Sequence, residues 1–316
     1  MQMLKRISFA IGWLTLLSVV TVYILTLPRS IDALQIPPHK PDLTNGETLF
    51  WAGGCASCHA AKDAQKEARL TLAGGLEIKT AFGIFRSPNL SPDPETGIGL
   101  WTNVDFINAM VKGISPDGSH YYPAFPYTHY QIMPFSDLID LKAFLDTLPA
   151  QPSLVAEHDL NFPFNIRAGL GLWKLLYLQE PMKAQVPVNQ DKGLLERGRY
   201  LVNGPGHCGS CHTPRTLLGG EIKGRFLAGA ASIESDGPKT GKSKIRIPNI
   251  TPHTDGIGSW SIKDITYALE TGLDPDFDSF GDSMVEVQEN MAKLSAQDRL
   301  AIATYLKSIP ALPSDN

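Results

Sequence analysis

Several things are scarce in this chain, and each scarcity removes a class of function. Among its 316 residues there are only four cysteines, too few and too locally placed to suggest a disulfide framework. No stretch gathers lysine and arginine into a basic face, and 28 basic against 32 acidic residues leave a formal charge of −4. Nothing therefore points to nucleic acid as a partner. No catalytic triad, phosphate-binding loop or activated nucleophile stands out, so no residue is assigned a catalytic role. Long apolar runs are missing too, with one exception. The remaining length, 43% apolar, is enough for about two ordinary cores.

The exception is Ile7 to Leu27, which holds no charged residue and follows Lys5 and Arg6. As a helix it spans roughly 31 Å, the thickness of a hydrocarbon core. A cleaved signal peptide also begins with basic residues and an apolar run, but its apolar part is usually about 7–15 residues long and ends in a small-x-small site. Here the exit reads Leu27-Pro28-Arg29-Ser30-Ile31-Asp32-Ala33, without an Ala-x-Ala. Residues 1–29 are expected to be a cytoplasmic tail and a retained membrane anchor. Lys5 and Arg6 would stay inside and everything after about Arg29 would be exported. Residues 30–42, proline-rich from Pro28 to Pro41, read as an extended tether.

The four cysteines fall into two copies of one pattern, Cys55-Ala56-Ser57-Cys58-His59 and Cys208-Gly209-Ser210-Cys211-His212. A bare C-x-x-C suits a redox disulfide or half a zinc knuckle, but either leaves the two trailing histidines unexplained. C-x-x-C-H is the attachment signature of c-type haem. Two thiols a turn apart form thioethers to the two vinyl groups, and the adjacent histidine is thereby aimed at the iron. The expectation is two covalently bound haem c groups (iron), with His59 and His212 as proximal metal ligands.

The repetition extends further. Pro88-Asn89-Leu90-Ser91-Pro92 through Gly97-Ile98-Gly99-Leu100-Trp101 recurs as Pro248-Asn249-Ile250-Thr251-Pro252 through Gly256-Ile257-Gly258-Ser259-Trp260. An amphipathic helical pattern follows each copy, at Val104 to Lys112 and Ser261 to Thr271. Each half closes on another, from Ser136 to Leu145 and from Ser295 to Leu306, the latter opening with Ser295 and Asp298 as a capping box. A helix also precedes each cysteine motif, at Gly46 to Ala52 and Gly193 to Val202. The halves are 43–150 and 190–311, joined by a connection over 151–189.

On these residues the chain resembles the c-type cytochrome subunits of bacterial periplasmic alcohol and gluconate dehydrogenases. The matching stretches are Tyr122-Pro123-Ala124-Phe125-Pro126-Tyr127, Gly206-His207-Cys208 through His212-Thr213-Pro214-Arg215, Asn249-Ile250-Thr251-Pro252 and Ala303-Thr304-Tyr305-Leu306-Lys307. The similarity runs from about Asn45 to Pro310. The best-known members of that group carry three haems, whereas this chain has two motifs. The resemblance implies a mainly α fold: two tandem class I cytochrome c domains preceded by one N-terminal transmembrane helix. It further implies a single-pass protein of the bacterial inner (cytoplasmic) membrane with its haem domains on the periplasmic side. The partners would be a periplasmic dehydrogenase and a downstream electron acceptor, whether quinone, soluble cytochrome or oxidase.

The sixth ligands separate an electron carrier from an iron open to peroxide or gas chemistry. Of seven methionines, Met1 and Met3 precede the anchor, Met182 lies in the connection, and Met110 sits in a helical pattern as a core residue. For the first haem Met133 is the candidate, in a Pro- and Tyr-rich loop before the last helix of its half; His120 and His129 flank it as alternatives. Related subunits often place Met where this chain has Phe125. For the second haem Met284, after Gly281-Asp282-Ser283 and at the position the resemblance implies, competes with Met291, which is also a candidate core packer.

Further candidates are softer. Pro88 and Pro248 would offer carbonyls to the Nδ1–H of His59 and His212. Asn89, Asn249, Trp101, Trp260 and Arg215 are candidate cofactor-binding residues for the haem propionates, the two tryptophans equally suiting packing against the porphyrin. His207 reads as a hydrogen-bonded structural residue. In the connection, Ile166 to Leu178 is apolar but too short to span a bilayer; it reads as a wedge between the halves, with a partner-docking surface as the alternative. An electron-transfer chain is the leading expectation. A haem enzyme such as a dihaem peroxidase is the alternative, and the methionines in both halves argue against it.

Overall fold

Helix boundaries in this chain are written in its capping residues. The computed structural model describes residues 2–61, 64–178, 193–235 and 243–314; Met1, Met182 and the rest of the connection beyond 178 lie outside the described residues. Helix α1 (Gln2–Thr26) is 25 residues long, apolar enough to cross a membrane, and buries nothing. The first half follows as α2 (Leu43–Ala52), α3 (Cys55–His59), β1 (Glu77–Thr80), β2 (Gly83–Arg86), α4 (Asn103–Ile107) running into a π turn (Asn108–Lys112), α5 (Tyr127–Tyr130) and α6 (Phe135–Leu145). The connection supplies β3 (Asp159–Leu160) and α7 (Gly169–Tyr177). The second half is α8 (Leu194–Asn203), α9 (Gly209–His212), β4 (Ala230–Ser235), β5 (Ser243–Ile247), α10 (Ile262–Thr271), α11 (Ser283–Met291) and α12 (Ala296–Ser308).

Asp42 caps α2 by accepting from the N–H of Thr44 and Asn45. Thr102 with Asp105 and Ser261 with Asp264 close reciprocal boxes on α4 and α10, each satisfying otherwise orphaned donors of the first turn. The box expected at Ser295 forms only halfway. Ser295 accepts from the Asp298 N–H at 3.0 Å, but the Asp298 carboxylate takes the Arg197 Nε–H of α8 at 2.7 Å instead.

The first and last helices of each half cross at a glycine. A Cβ on Gly46 would lie 2.2 Å from the Asp140 carbonyl oxygen of α6, and one on Gly198 would lie 1.9 Å from that of Ala301 in α12. No other residue permits either crossing. Around them Leu49, Phe50, Leu138 and Leu145 of the first half join Leu201, Val202, Ile302 and Leu306 of the second in one continuous apolar cluster. Each fully buried side chain of this size contributes about 1.5–3 kcal/mol. The halves therefore share a core.

Three features differ from expectation. The small sheet β1–β2–β3, antiparallel throughout, was not anticipated, because strands of two to four residues are too short to show a period. The helix expected over Val104 to Lys112 widens into a π turn at Asn108. And residues 30–42 are a strap, not a free tether. Ile31 is buried, its N–H donates to Asn108 Oδ1 at 2.7 Å, and its carbonyl accepts from Asn108 Nδ2 at 3.1 Å. Further along, His39 Nε2 meets Asp140 Oδ1 at 2.7 Å and the Asp42 N–H donates to the same oxygen at 2.8 Å. Buried polar groups that find partners of this kind hold an extended segment as firmly as a ladder does.

Helix α7 is wedged between the halves. Lys174 Nζ donates to the carbonyls of Lys112 and Gly113 at 2.7 Å each and to His120 Nδ1 at 2.9 Å. Trp173 Nε1 donates to the Leu218 carbonyl at 2.8 Å, and the Tyr177 and Thr216 hydroxyls pair at 2.9 Å. Its other face, Leu172, Leu175 and Leu176, is exposed.

The strap depends on one amide. Asn108→Ala leaves the buried Ile31 N–H and carbonyl without partners, at a cost of about 2–3 kcal/mol. Limited proteolysis should then cut within 28–38 of the variant while the parent chain resists; equal cutting of both would show that the segment hangs free.

Candidate functional site

Two thiols and an imidazole on one helical turn make a site only if the ring is held in one orientation. Cys55 and Cys58 lie in α3, and Cys208 is the N-cap of α9 with Cys211 inside it; three residues apart, the members of each pair lie on one side of the turn. None of the four is in a disulfide; Cys55 and Cys208 are half-buried, Cys58 and Cys211 exposed. The ring of His59 places Nδ1 2.8 Å from the Pro88 carbonyl, and His212 places Nδ1 2.8 Å from the Pro248 carbonyl. Burial lowers both imidazoles below the usual histidine value, against the opposing pull of those carbonyls. Each ring is thus neutral, donates from Nδ1, and keeps the lone pair of Nε2 for a metal. The carbonyl contacts expected from the Pro-Asn repeat are present in both halves.

Two glycines put those carbonyls in place. Gly74 and Gly229 have φ of 73° and 84°, a backbone region that disfavours any side chain. Their N–H groups donate to the carbonyls of His59 and His212, both at 2.8 Å. A Cβ on Gly74 would stand 2.5 Å from the Pro88 carbonyl carbon and oxygen, and one on Gly229 would stand 2.9 Å from the Asn249 nitrogen. One residue pair further, the Leu90 N–H donates to the Leu72 carbonyl at 2.9 Å and the Ile250 N–H to that of Leu227 at 3.0 Å. The signal was in the chain: Leu72-Ala73-Gly74 recurs as Leu227-Ala228-Gly229.

Desolvation raises the half-buried thiols of Cys55 and Cys208 most. Cys55 is pushed up to about 12 by burial, with the neighbouring Cys58 adding to it, and Cys208 to about 12 by burial and then Cys211. Cys58 rises to about 11, by desolvation first and then through the charges of Glu286 and of Cys211 in the other half. A thiol–disulfide reagent needs the opposite, a depressed thiol. Among the described residues no group of three or more His, Cys, Asp or Glu is placed to hold a metal ion.

The two motifs abut. His207, next to Cys208, has its Nε2 3.2 Å from the Gly53 carbonyl, two residues before Cys55. It is the structural histidine expected, held neutral because burial, then the neighbouring His129, lowers it to about 4. Asn290 of α11 donates to Ser57 Oγ at 2.6 Å, and Tyr130 stacks edge-on against His207 with centroids 5.8 Å apart.

The other candidates divide. Met133 is 1% exposed, in the core, in the loop between α5 and α6. Its rivals are occupied: His120 has Nε2 2.9 Å from the Thr26 carbonyl and Nδ1 facing Lys174, while His129 has Nδ1 3.1 Å from the Asn203 carbonyl and Nε2 2.6 Å from Glu221. Met284 is partly buried in the first turn of α11, not in a loop. Met291, at the end of that helix, and Met110 are core residues. Trp101 and Trp260 pack against the core, and neither indole N–H has a partner among the described residues.

Three of the candidate cofactor-binding residues also brace the protein. Asn89 spends its amide N–H groups on Thr96 Oγ1 at 3.0 Å and the Gln151 carbonyl at 2.8 Å, and Asn249 donates to the Leu312 carbonyl at 2.7 Å. Both are buried, and their polar groups find partners within a tight loop. Arg215 donates to the carbonyls of Ser210 and Gly219 at 2.5 and 2.6 Å, clasping the turn that carries Cys211.

Comparison with known proteins agrees with this geometry. The family described as Cytochrome c matches residues 43–149. A "Diheme cytochrome c-type" protein of Cereibacter sphaeroides is 48% identical over 91% of this chain and 93% of its own length. The gluconate 2-dehydrogenase cytochrome c subunit of Pantoea cypripedii is 35% identical, and the alcohol dehydrogenase (quinone) cytochrome c subunit of Gluconobacter oxydans also 35%. The chain spans 59% and 55% of the length of those two.

The thiols and rings fit haem attachment at both motifs. Acidic acetone should leave all haem with the precipitated protein, two per chain by pyridine haemochrome, and Cys58→Ala or Cys211→Ala should each lower the thioether count by one. Haem in the supernatant of the parent chain would overturn the assignment.

Proposed function

The chain belongs to the dihaem c-type cytochromes, and on that premise we propose that it passes electrons from a periplasmic dehydrogenase to a respiratory acceptor: a quinone, a soluble cytochrome or an oxidase. On this reading 43–150 and 190–311 are two tandem class I cytochrome c domains. α1 anchors them to the bacterial cytoplasmic membrane with both domains on the periplasmic side. The repeated order of helix, C-x-x-C-H turn, hairpin, capped helix and closing helix supports the tandem reading. The names of the relatives support a dehydrogenase as the donor.

One observation carries the proposal: the hydrogen bond from His207 to the Gly53 carbonyl, which joins the two attachment segments directly. When bound, haem c supplies reversible one-electron chemistry. The residues of this chain do the rest. Cys55, Cys58, Cys208 and Cys211 would hold the two groups covalently, and His59 and His212 would bind iron through Nε2, their rings fixed by Pro88 and Pro248. Met133 would close the first site. Its burial supports this, and so do the engaged ring nitrogens of His120 and His129. Met284 would close the second, a role favoured by the absorption of Met291 into the core. The indole N–H groups of Trp101 and Trp260 remain to meet polar edges of the cofactor. A thioether held in a dry core loses little by desolvation, whereas an imidazole must also satisfy its second nitrogen.

Two experiments test this. The isolated full chain should be reduced by ascorbate yet show negligible peroxidase or thiosulfate-oxidising turnover; robust turnover would make it an enzyme. Met133→Ala should erase the sulfur-to-iron charge-transfer band of one haem, spare the other, and lower the potential of the altered one if water or histidine replaces the thioether. An unchanged band in Met133→Ala, with the loss in His120→Ala or His129→Ala, would identify a bis-His first haem.

A further inference from the structure

The exposed face of α7 lies beside the end of the apolar helix α1. Gly171 of α7 is buried under Thr26, the last residue of α1, and a Cβ there would sit 2.3 Å from the Thr26 carbonyl oxygen and 2.5 Å from its Cβ. The same Thr26 carbonyl accepts from His120 Nε2 at 2.9 Å, and His120 is tied through Nδ1 to Lys174 of α7. The end of α1 is therefore fixed to α7 by packing and by hydrogen bonds, with no free linker between them. Whatever plane α1 leaves at Thr26, α7 lies close to it.

On α7 the helical period sorts the residues cleanly. Leu170 and Lys174 face the first half and are buried. Leu172, Leu175 and Leu176 are 50%, 54% and 59% exposed, spaced i, i+3 and i+4 as one apolar stripe. Leu175 stands one turn beyond Gly171, so the stripe is continuous with the seat of α1. The approach to the helix adds Phe162 at 80% and Ile166 at 52% exposed. Nine residues of helix extend only about 14 Å, too short to span a bilayer, while an apolar stripe of this kind suits a helix lying in the interfacial plane.

We infer that α7 is a second membrane contact: Leu172, Leu175 and Leu176, with Ile166 and Phe162, enter the headgroup–acyl boundary of the phospholipid bilayer that α1 crosses. This rests on reading α1 as a membrane span. Because α7 is also wedged between the halves, immersion of its stripe sets the tilt of both attachment motifs above the bilayer.

The full chain, reconstituted into phosphatidylethanolamine–phosphatidylglycerol vesicles doped with phosphatidylcholine carrying an acyl-chain diazirine, is irradiated and its adducts are mapped by peptide mass spectrometry. Adducts are expected in peptides of α1 and of 162–177, and not in α12, which exposes Leu300 but packs against α8 and α10. Leu172→Gln with Leu176→Gln should remove the α7 adducts and leave those of α1. Adducts in α1 with none in 162–177 would overturn this inference and spare the anchor, as would α7 labelling no stronger than that of α12. Absence from both would overturn the anchor and the inference together.

Discussion

An imidazole that is to bind a metal through one nitrogen must be anchored through the other, and much of each half is arranged around that requirement. The Nδ1–H of His59 and of His212 needs a carbonyl, and the chain supplies Pro88 and Pro248. A proline carbonyl can reach the ring only if the segment bearing it lies flat against the segment that follows the histidine. Gly74 and Gly229 permit that approach by carrying no side chain and by adopting positive φ. The Leu72–Leu90 and Leu227–Ile250 bonds then hold the two segments in register, while Asn89 and Asn249 brace the turns that follow. The same solution appears twice in one chain, with different loop lengths between the same contacts.

Packing of the halves has a similar economy. Glycine crossings let α2 meet α6 and α8 meet α12 at backbone distance, and the cluster so formed runs without a break from one half to the other. His207 and Asn290 then tie the two attachment segments together. The protein thus has little freedom to separate its motifs. A chain that hands electrons between two covalently held groups benefits from that rigidity, because the path between them is not remade at each turnover.

The most legible parts of the sequence were those with a short-range chemical signature. C-x-x-C-H and the Pro-Asn repeats each act within a few residues and stand where their patterns imply, while the box at Ser295 forms only in part. What was not legible depends on long-range competition for the same atoms. Asn89, Asn249 and Arg215 carry groups suited to a propionate, and each also donates to a main-chain carbonyl that no local pattern announces. The 30–42 segment looked like a tether because nothing local holds it; Asn108, some 77 residues away, does. Met284 follows a glycine-containing stretch that reads as loop, yet α11 begins at Ser283. The choice between Met133 and the flanking histidines was open in the sequence. In the structure Thr26, Lys174, Asn203 and Glu221, all distant in the chain, engage the rings of His120 and His129, which is the support for proposing Met133.

Two abutting motifs that work as one electron-transferring unit must share an electron within a single molecule. The most direct test is to inject a single electron per molecule by flash reduction and follow its redistribution between the two attachment sites at several protein concentrations. The account predicts an equilibration rate independent of concentration, as transfer within one molecule requires. A rate that rises in proportion to concentration would mean that electrons move only between molecules, and would contradict it.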